Sequence, residues 1–242
     1  MISILYDVFK KWSAKGSVYI ISDPHFSDSE SFEFRKASGK LPEGVNSIEA
    51  LDNYIIKNIN SVVGKNDTLL CLGDVGNTDC IAKLKAGYKV LLLGNHDKGA
   101  NNYKRAAIDI TKLKADLAKS VELPKELFMT KHELDKHIVL DNKLFDEVYS
   151  GPLMISDKII LSHEPIIPCP DYLVNLCGHV HANKHKFKVD KHQYYNFCAE
   201  AIDYRPVSLG NLIKNGLLSN VKDIHRVTVD GAIIRKKHKA GR

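Results

Sequence analysis

Val90-Leu91-Leu92-Leu93-Gly94-Asn95-His96-Asp97 joins four apolar residues to a turn carrying an amide, an imidazole and a carboxylate. The apolar half lacks the alternation of a half-exposed strand and is too short for an ordinary helix. It reads as a strand buried on both faces. Four other stretches follow the same plan. Val18-Tyr19-Ile20-Ile21 runs into Ser22-Asp23-Pro24-His25, and Leu69-Leu70-Cys71-Leu72 runs into Gly73-Asp74. Ile159-Ile160-Leu161 runs into Ser162-His163, and Val174-Asn175-Leu176-Cys177 runs into Gly178-His179-Val180-His181. In open α/β sheets, ligands bind beyond the carboxyl ends of the strands. Five such endings predict a sheet whose strand ends share a single site.

The segments between these runs predict helices. Ser47 can cap a helix through Ile59, because Ile48, Leu51, Ile55 and Ile59 recur at helical spacing. Asp79 to Ala86 can form a short helix before Gly87. Strands alternating with helices indicate an α/β fold. Residues 98–143 differ: Tyr103 to Ser120 has helical periodicity, Pro124 breaks it, and a second helical stretch runs to about Lys136. This predicts a helical insertion after Gly94-Asn95-His96-Asp97. Both a cap over the site and a peripheral hairpin remain open for it. Ile2 to Trp12 is expected to form an amphipathic helix, with Leu5, Val8, Phe9 and Trp12 on the side that packs on the core or on another subunit.

Composition narrows the class. The 242 residues are 44% hydrophobic and 26% charged, the balance of a globular protein with a sizeable core, and residues 1–242 read as a single domain. No apolar run approaches the length of a membrane span, and Lys10 and Lys11 interrupt any secretory signal. The five cysteines form no C-x-x-C pair, which argues against a disulfide framework and for a reducing, cytoplasmic setting. Net charge is +6, but residues 182–242 carry 13 Lys and Arg against 5 Asp and Glu. That basic third favours a phosphate-bearing or polyanionic partner, or is simply a solvated face with a basic tail at Arg235-Lys236-Lys237-His238-Lys239.

The strand endings offer Asp23, His25, Asp74, Asn95, His163, His179 and His181 as metal ligands, with His96 beside them. Nitrogen and oxygen donors without thiolate suit Mn, Fe, Zn, Co or Ni. Seven ligands are too many for one tetrahedral ion. They suit two divalent ions if one carboxylate bridges and water fills the remaining positions. Two ions roughly 3.5–4 Å apart can stabilise both the attacking and the leaving oxygen of a displacement at phosphorus.

Together, Asp23-Pro24-His25, Gly73-Asp74, Gly94-Asn95-His96-Asp97, His163 and Gly178-His179-Val180-His181 resemble the signature of the calcineurin-like metallophosphoesterases. The resemblance implies a four-layer α-β-β-α sandwich with a dinuclear site at its strand ends. It implies that Asp23, His25, Asp74 and His181 hold one ion, that Asp74, Asn95, His163 and His179 hold the other, and that Asp74 bridges. It further implies that His96 protonates the leaving oxygen while Asp97 orients its ring, and that the nucleophile is a metal-bound hydroxide. Manganese is the favoured metal.

Departures from the family pattern narrow the substrate. Gly73-Asp74-Val75-Gly76-Asn77 lacks the Gly-Asp-x-x-Asp-Arg-Gly of the protein serine/threonine phosphatases, which points away from a phosphoprotein. A small phosphomonoester, phosphodiester or nucleotide is expected instead. A nuclease and a cyclic-nucleotide phosphodiesterase are the alternatives among enzymes, so nucleic acid stays a candidate partner. A non-catalytic binding scaffold is the alternative of another class, although such a chain should have lost a ligand and here every motif position is filled. A zinc protease reading fails because His132 and His137 are five residues apart, whereas a shared helix face needs four.

Overall fold

The computed structural model describes residues 5–97, 137–138, 144–182 and 193–222. The proposed helices of residues 98–143, the basic tail and the first residues of the N-terminal helix lie outside the described residues, apart from the short β4.

The buried runs become the centres of two mixed sheets, not the single sheet that their patterning alone suggests. In the first, β1 (Val18–Ile21), β2 (Thr68–Cys71), β3 (Tyr88–Leu92) and β5 (Glu147–Tyr149) are parallel neighbours. The antiparallel strands β4 (His137–Ile138) and β10 (Val207–Ser208) flank them, giving the order β10-β1-β2-β3-β5-β4. The second sheet has the order β6-β7-β8-β9, from β6 (Leu153–Met154), β7 (Ile159–Leu161), β8 (Val174–Cys177) and β9 (Tyr194–Asn196). There β7, β8 and β9 are parallel and β6 is antiparallel. Identical apolar patterning in both sheets explains why their separation is hidden in the sequence.

Alternation along the strands supplies two cores. Ile20, Leu70, Leu72, Val90 and Leu92 face Ile159, Leu161, Val174 and Leu176 of the second sheet. Their neighbours Ile21, Leu69, Cys71 and Leu91 face the other way, onto helices. Those helices are α2 (Ser29–Ala37), α3 (Ile48–Val62) and α4 (Thr78–Ala82). Ser47 caps α3 by accepting from the Ala50 amide at 3.2 Å, and Leu51, Ile55 and Ile59 are buried, as their spacing predicts. Burying each such side chain contributes about 1.5–3 kcal/mol. Helix α4 ends four residues earlier than expected. The Asn60 side chain takes up both the Lys83 carbonyl and the Lys85 amide, which draws the chain away from the helix axis.

Helix α1 (Asp7–Trp12) is also shorter than expected. Leu5 is bridged to Ser156, and the Tyr6 amide donates to the Ile155 carbonyl at 3.0 Å, so extended pairing wins there. Phe9 and Trp12 pack into the inter-sheet core, along with Leu209 of α5 (Leu209–Lys214) and Leu217, Leu218 and Val221 beyond it. Trp12 is anchored by a buried carboxylate, donating to Glu147 at 2.9 Å. Glu147 also receives Tyr88 at 2.6 Å, Tyr149 at 2.7 Å and the Lys11 ammonium. Burial alone pushes this carboxyl up, but its four donors win and bring it down to about 2.

All five cysteines are buried free thiols. Among the described residues, no helix is long and apolar enough to cross a membrane.

Candidate metal centre

Each expected ligand sits just past a strand end, and both sheets deliver theirs to one place. Backbone hydrogen bonds lock the turns together. Asp23, His25 and Phe26 donate to the carbonyls of Gly73, Asp74 and Val75 at 2.9, 3.0 and 2.9 Å. The Gly178 amide donates to the His163 carbonyl at 2.9 Å. Ser22 joins the two sheets: its amide donates to Phe197, and its carbonyl accepts from Ala199.

Five of the seven expected ligands are held in the left-handed region, with φ of 53° at Asp23, 48° at His25, 53° at Asp74, 66° at His179 and 49° at His181. Residues with a Cβ enter that region at a cost of about 1 kcal/mol or more, and persist there only when the surroundings enforce it. The glycines before the ligands allow the required close approaches. A Cβ on Gly178 would lie 1.9 Å from Ser22 Oγ and 2.2 Å from Asp23 Oδ2, and one on Gly94 would lie 2.1 Å from Asp74 Oδ1.

The side chains form two groups able to hold an ion, Asp23–His25–His181 and Asp74–His163–His179, and within each the ligand atoms all lie within 4.8 Å of one another. Asn95 Oδ1 joins the second group, 2.9 Å from His163 Nε2 and 3.0 Å from His179 Nδ1. Asp74 Oδ2 stands between the groups, 3.3 Å from His163 Nε2 and 3.6 Å from His25 Nε2.

The chemistry of these atoms fits a cation. His163 Nδ1 is 2.8 Å from the Leu72 carbonyl, which only accepts, so the proton belongs on Nδ1. Its Nε2 then meets further acceptors from Asp74 and Asn95. His25 Nδ1 is committed to Asp28 at 3.2 Å in the same way. Its buried Nε2 has no hydrogen-bond partner, nor has the buried Asp23 Oδ1 3.8 Å away. Converging buried acceptors repel unless something positive lies among them. Protonation offers partial relief: burial opposes charge on His163, but the Asp74 carboxylate outweighs it and lifts the imidazole to about 9. Burial also works against the Asp74 carboxylate, yet the His163 hydrogen bond holds its value below the usual range. His25 goes the other way, lowered chiefly by burial.

His96 and Asp97 occupy the adjoining turn. His96 is exposed, its ring centroid is 5.3 Å from that of His25, and its amide donates to Asp74 Oδ1 at 2.9 Å. Asp97 is buried, and its carboxylate accepts from the amides of Asp74, Val75 and Gly94 at 2.8, 3.0 and 2.8 Å. These bonds tie the Gly73-Asp74 turn to the Gly94-Asn95 turn. Burial raises the Asp97 carboxyl despite the three amides.

A cavity of about 280 Å³ opens beside Asn95 and His163, walled by Leu93, Pro152, Pro165 and Ile166. A second of about 340 Å³ lies on the His181 side, next to Lys40 and Asn196.

The family model of the calcineurin-like phosphoesterases matches residues 16–197, which contain every candidate ligand described above. The chain belongs to the calcineurin-like phosphoesterases. The chain is 25% identical over 207 residues to the uncharacterized protein MJ1445 of Methanocaldococcus jannaschii, covering 81% of this chain and 89% of that one. It resembles the crystal structure of AQ665, a protein of unknown function from Aquifex aeolicus, at a TM-score of 0.50 and 21% identity, over 82% of this chain and 98% of the other. That second likeness speaks for the fold alone.

The motifs do not reveal the residues behind the ligands. Asp28 had a readable signal, because a carboxylate three residues after His25 and before a helix can cap that helix and meet the imidazole. It accepts from the Ser31 amide at 2.9 Å while holding His25. Arg35 and Glu200 had none, being 165 positions apart and in contact only through the fold.

Proposed function

We propose that this phosphoesterase uses two divalent metal ions to hydrolyse a phosphomonoester or phosphodiester. The observation that carries the reading is the pair of buried atoms Asp23 Oδ1 and His25 Nε2, 3.8 Å apart and each without a hydrogen-bond partner, beside Asp74 Oδ2 and Asn95 Oδ1, which both approach His163 Nε2. Asp23, His25, Asp74 and His181 would hold one ion, and Asp74, Asn95, His163 and His179 the other. The donor set suits manganese, which we favour, and also Fe, Zn, Co or Ni. When bound, the ions supply Lewis acidity at phosphorus and a water-derived nucleophile near neutral pH.

The chain's own residues divide the remaining work. His96 stands at the rim of the site and gives a proton to the leaving oxygen, which departs poorly as an alkoxide. Asp97 acts through the backbone, keeping the Asp74 and Asn95 turns in register through the three amides it accepts. The cavity beside Asn95 is of a size for one small group and supports a small phosphate ester or nucleotide as substrate. Nucleic acid is the wider alternative. A four-layer sandwich and a cytoplasmic location belong to the same reading, the latter supported by five free cysteines.

The test is a panel of aryl monoesters, diesters, cyclic nucleotides and single-stranded DNA, assayed after chelation and again with added Mn²⁺. Hydrolysis that depends on Mn²⁺ and disappears in Asp74→Asn and His181→Ala is expected. Undiminished turnover in the chelated protein would refute the reading.

A further inference from the structure

Glu200 belongs to no metal-binding motif, yet its carboxylate is buried against one of the ligands. His181 Nδ1 is 2.6 Å from Glu200 Oε1. An ionised carboxylate has no hydrogen to give, so Nδ1 is the donor. His181 Nε2, 3.5 Å from Asp23 Oδ1, thereby keeps its lone pair for an ion. The other carboxylate oxygen, Oε2, accepts from Arg35 Nε at 3.1 Å. Arg35 is fully buried, and its two remaining nitrogens donate to the Asp23 and Pro24 carbonyls at 2.6 and 3.2 Å. The backbone it grips is the left-handed turn that aims Asp23. One buried ion pair therefore touches two ligands that come from different sheets.

We propose that Glu200, held by Arg35, is a positioning residue of the metal centre, fixing the tautomer and ring direction of His181 and coupling them to the Asp23 turn. The inference rests on the dinuclear reading above. Carboxylates behind ligating imidazoles raise ligand basicity and set orientation, and their loss typically weakens metal binding about 10–100-fold. The second ligand group has a different arrangement, since His163 donates to the Leu72 backbone carbonyl. The effect of losing Glu200 is thus one-sided. A purely structural ion pair makes no such distinction and tolerates joint replacement by neutral groups.

Calorimetric titration of Mn²⁺ into the full-length protein tests this in the wild type, in Glu200→Gln and in the double variant Arg35→Met/Glu200→Gln. We expect one of two binding steps to weaken about 10–100-fold in variants with unchanged circular dichroism, and the other to change less than about threefold. Folded variants with both wild-type affinities would overturn the proposal. A long-range ¹H–¹⁵N spectrum of the Zn²⁺-loaded wild type decides it even if the variants fail to fold. His181 should show a protonated Nδ1, and a protonated Nε2 would overturn it. Wild-type protein that binds no ion would sink the dinuclear reading and this proposal together. Two intact binding steps in Glu200→Gln would sink this proposal alone.

Discussion

His163 Nε2 faces Asn95 Oδ1 at 2.9 Å, while the same imidazole commits its Nδ1 to the carbonyl of Leu72. A neutral imidazole has one N–H to give. The second nitrogen therefore meets an acceptor with a lone pair, and Asp74 Oδ2 adds another 3.3 Å away. Such an arrangement pays off only with positive charge among these atoms.

Divalent ions should consequently stabilise the fold. A ligand at a hundred times its dissociation constant adds about 2.7 kcal/mol, and for a chain of this size each kcal/mol raises Tm by about 2–4 °C. Thermal unfolding with saturating Mn²⁺ against chelator should separate by at least ~5 °C. The separation should shrink to almost nothing in Asp74→Asn.

Gly178→Ala should damage the site more than the fold. The added methyl would meet Ser22 Oγ and Asp23 Oδ2 at 1.9 and 2.2 Å, so the turn carrying His179 must move. We expect a stability loss of about 1–3 kcal/mol, as for overpacking generally. Metal content, read by elemental analysis of folded protein, should fall below the wild-type stoichiometry.

His96→Ala should keep both ions and lose rate. General acids contribute typically 10²–10⁴-fold, and the loss should be largest for alkyl leaving groups and smallest for nitrophenolate. Comparing kcat for the two substrate types at equal metal content checks the role. A uniform loss would point to substrate binding instead.

Acid stability should report on Glu147, which is bound to Lys11, Trp12, Tyr88 and Tyr149 and belongs to neither ligand group. Its carboxyl is depressed from 4.5 to about 2. The stabilisation it provides is present in full above pH ~4.5 and is lost as pH falls toward 2. Wild-type Tm should therefore drop more steeply between pH 5 and 3 than that of Glu147→Gln. At neutral pH the variant should already be less stable, by about 1–3 kcal/mol.

Much of the candidate site was legible because each expected ligand adjoins a strand that must be buried on both faces. Leu91 and Leu92 face different cores one residue apart, so a continuous apolar run is what that strand requires. The same continuity concealed the division into two sheets, since Leu70 and Leu176 look alike in sequence. Strand β9 escaped notice because Tyr194-Tyr195-Asn196 is short and half-buried, and its pairing depends on β8. Asp97 was expected to serve the His96 ring, and its bonds to three backbone amides are a tertiary fact that no spacing reveals. The same holds for Arg35 and Glu200.

Each ligand group draws from both sheets, with Asp23 and His25 meeting His181, and Asp74 and Asn95 meeting His163 and His179. An ion bound in either position would therefore also clasp the two sheets together. Ion affinity becomes a gauge of how well the sheets are docked. A core substitution that loosens their interface, such as Leu176→Ala, will weaken metal binding without touching a single ligand.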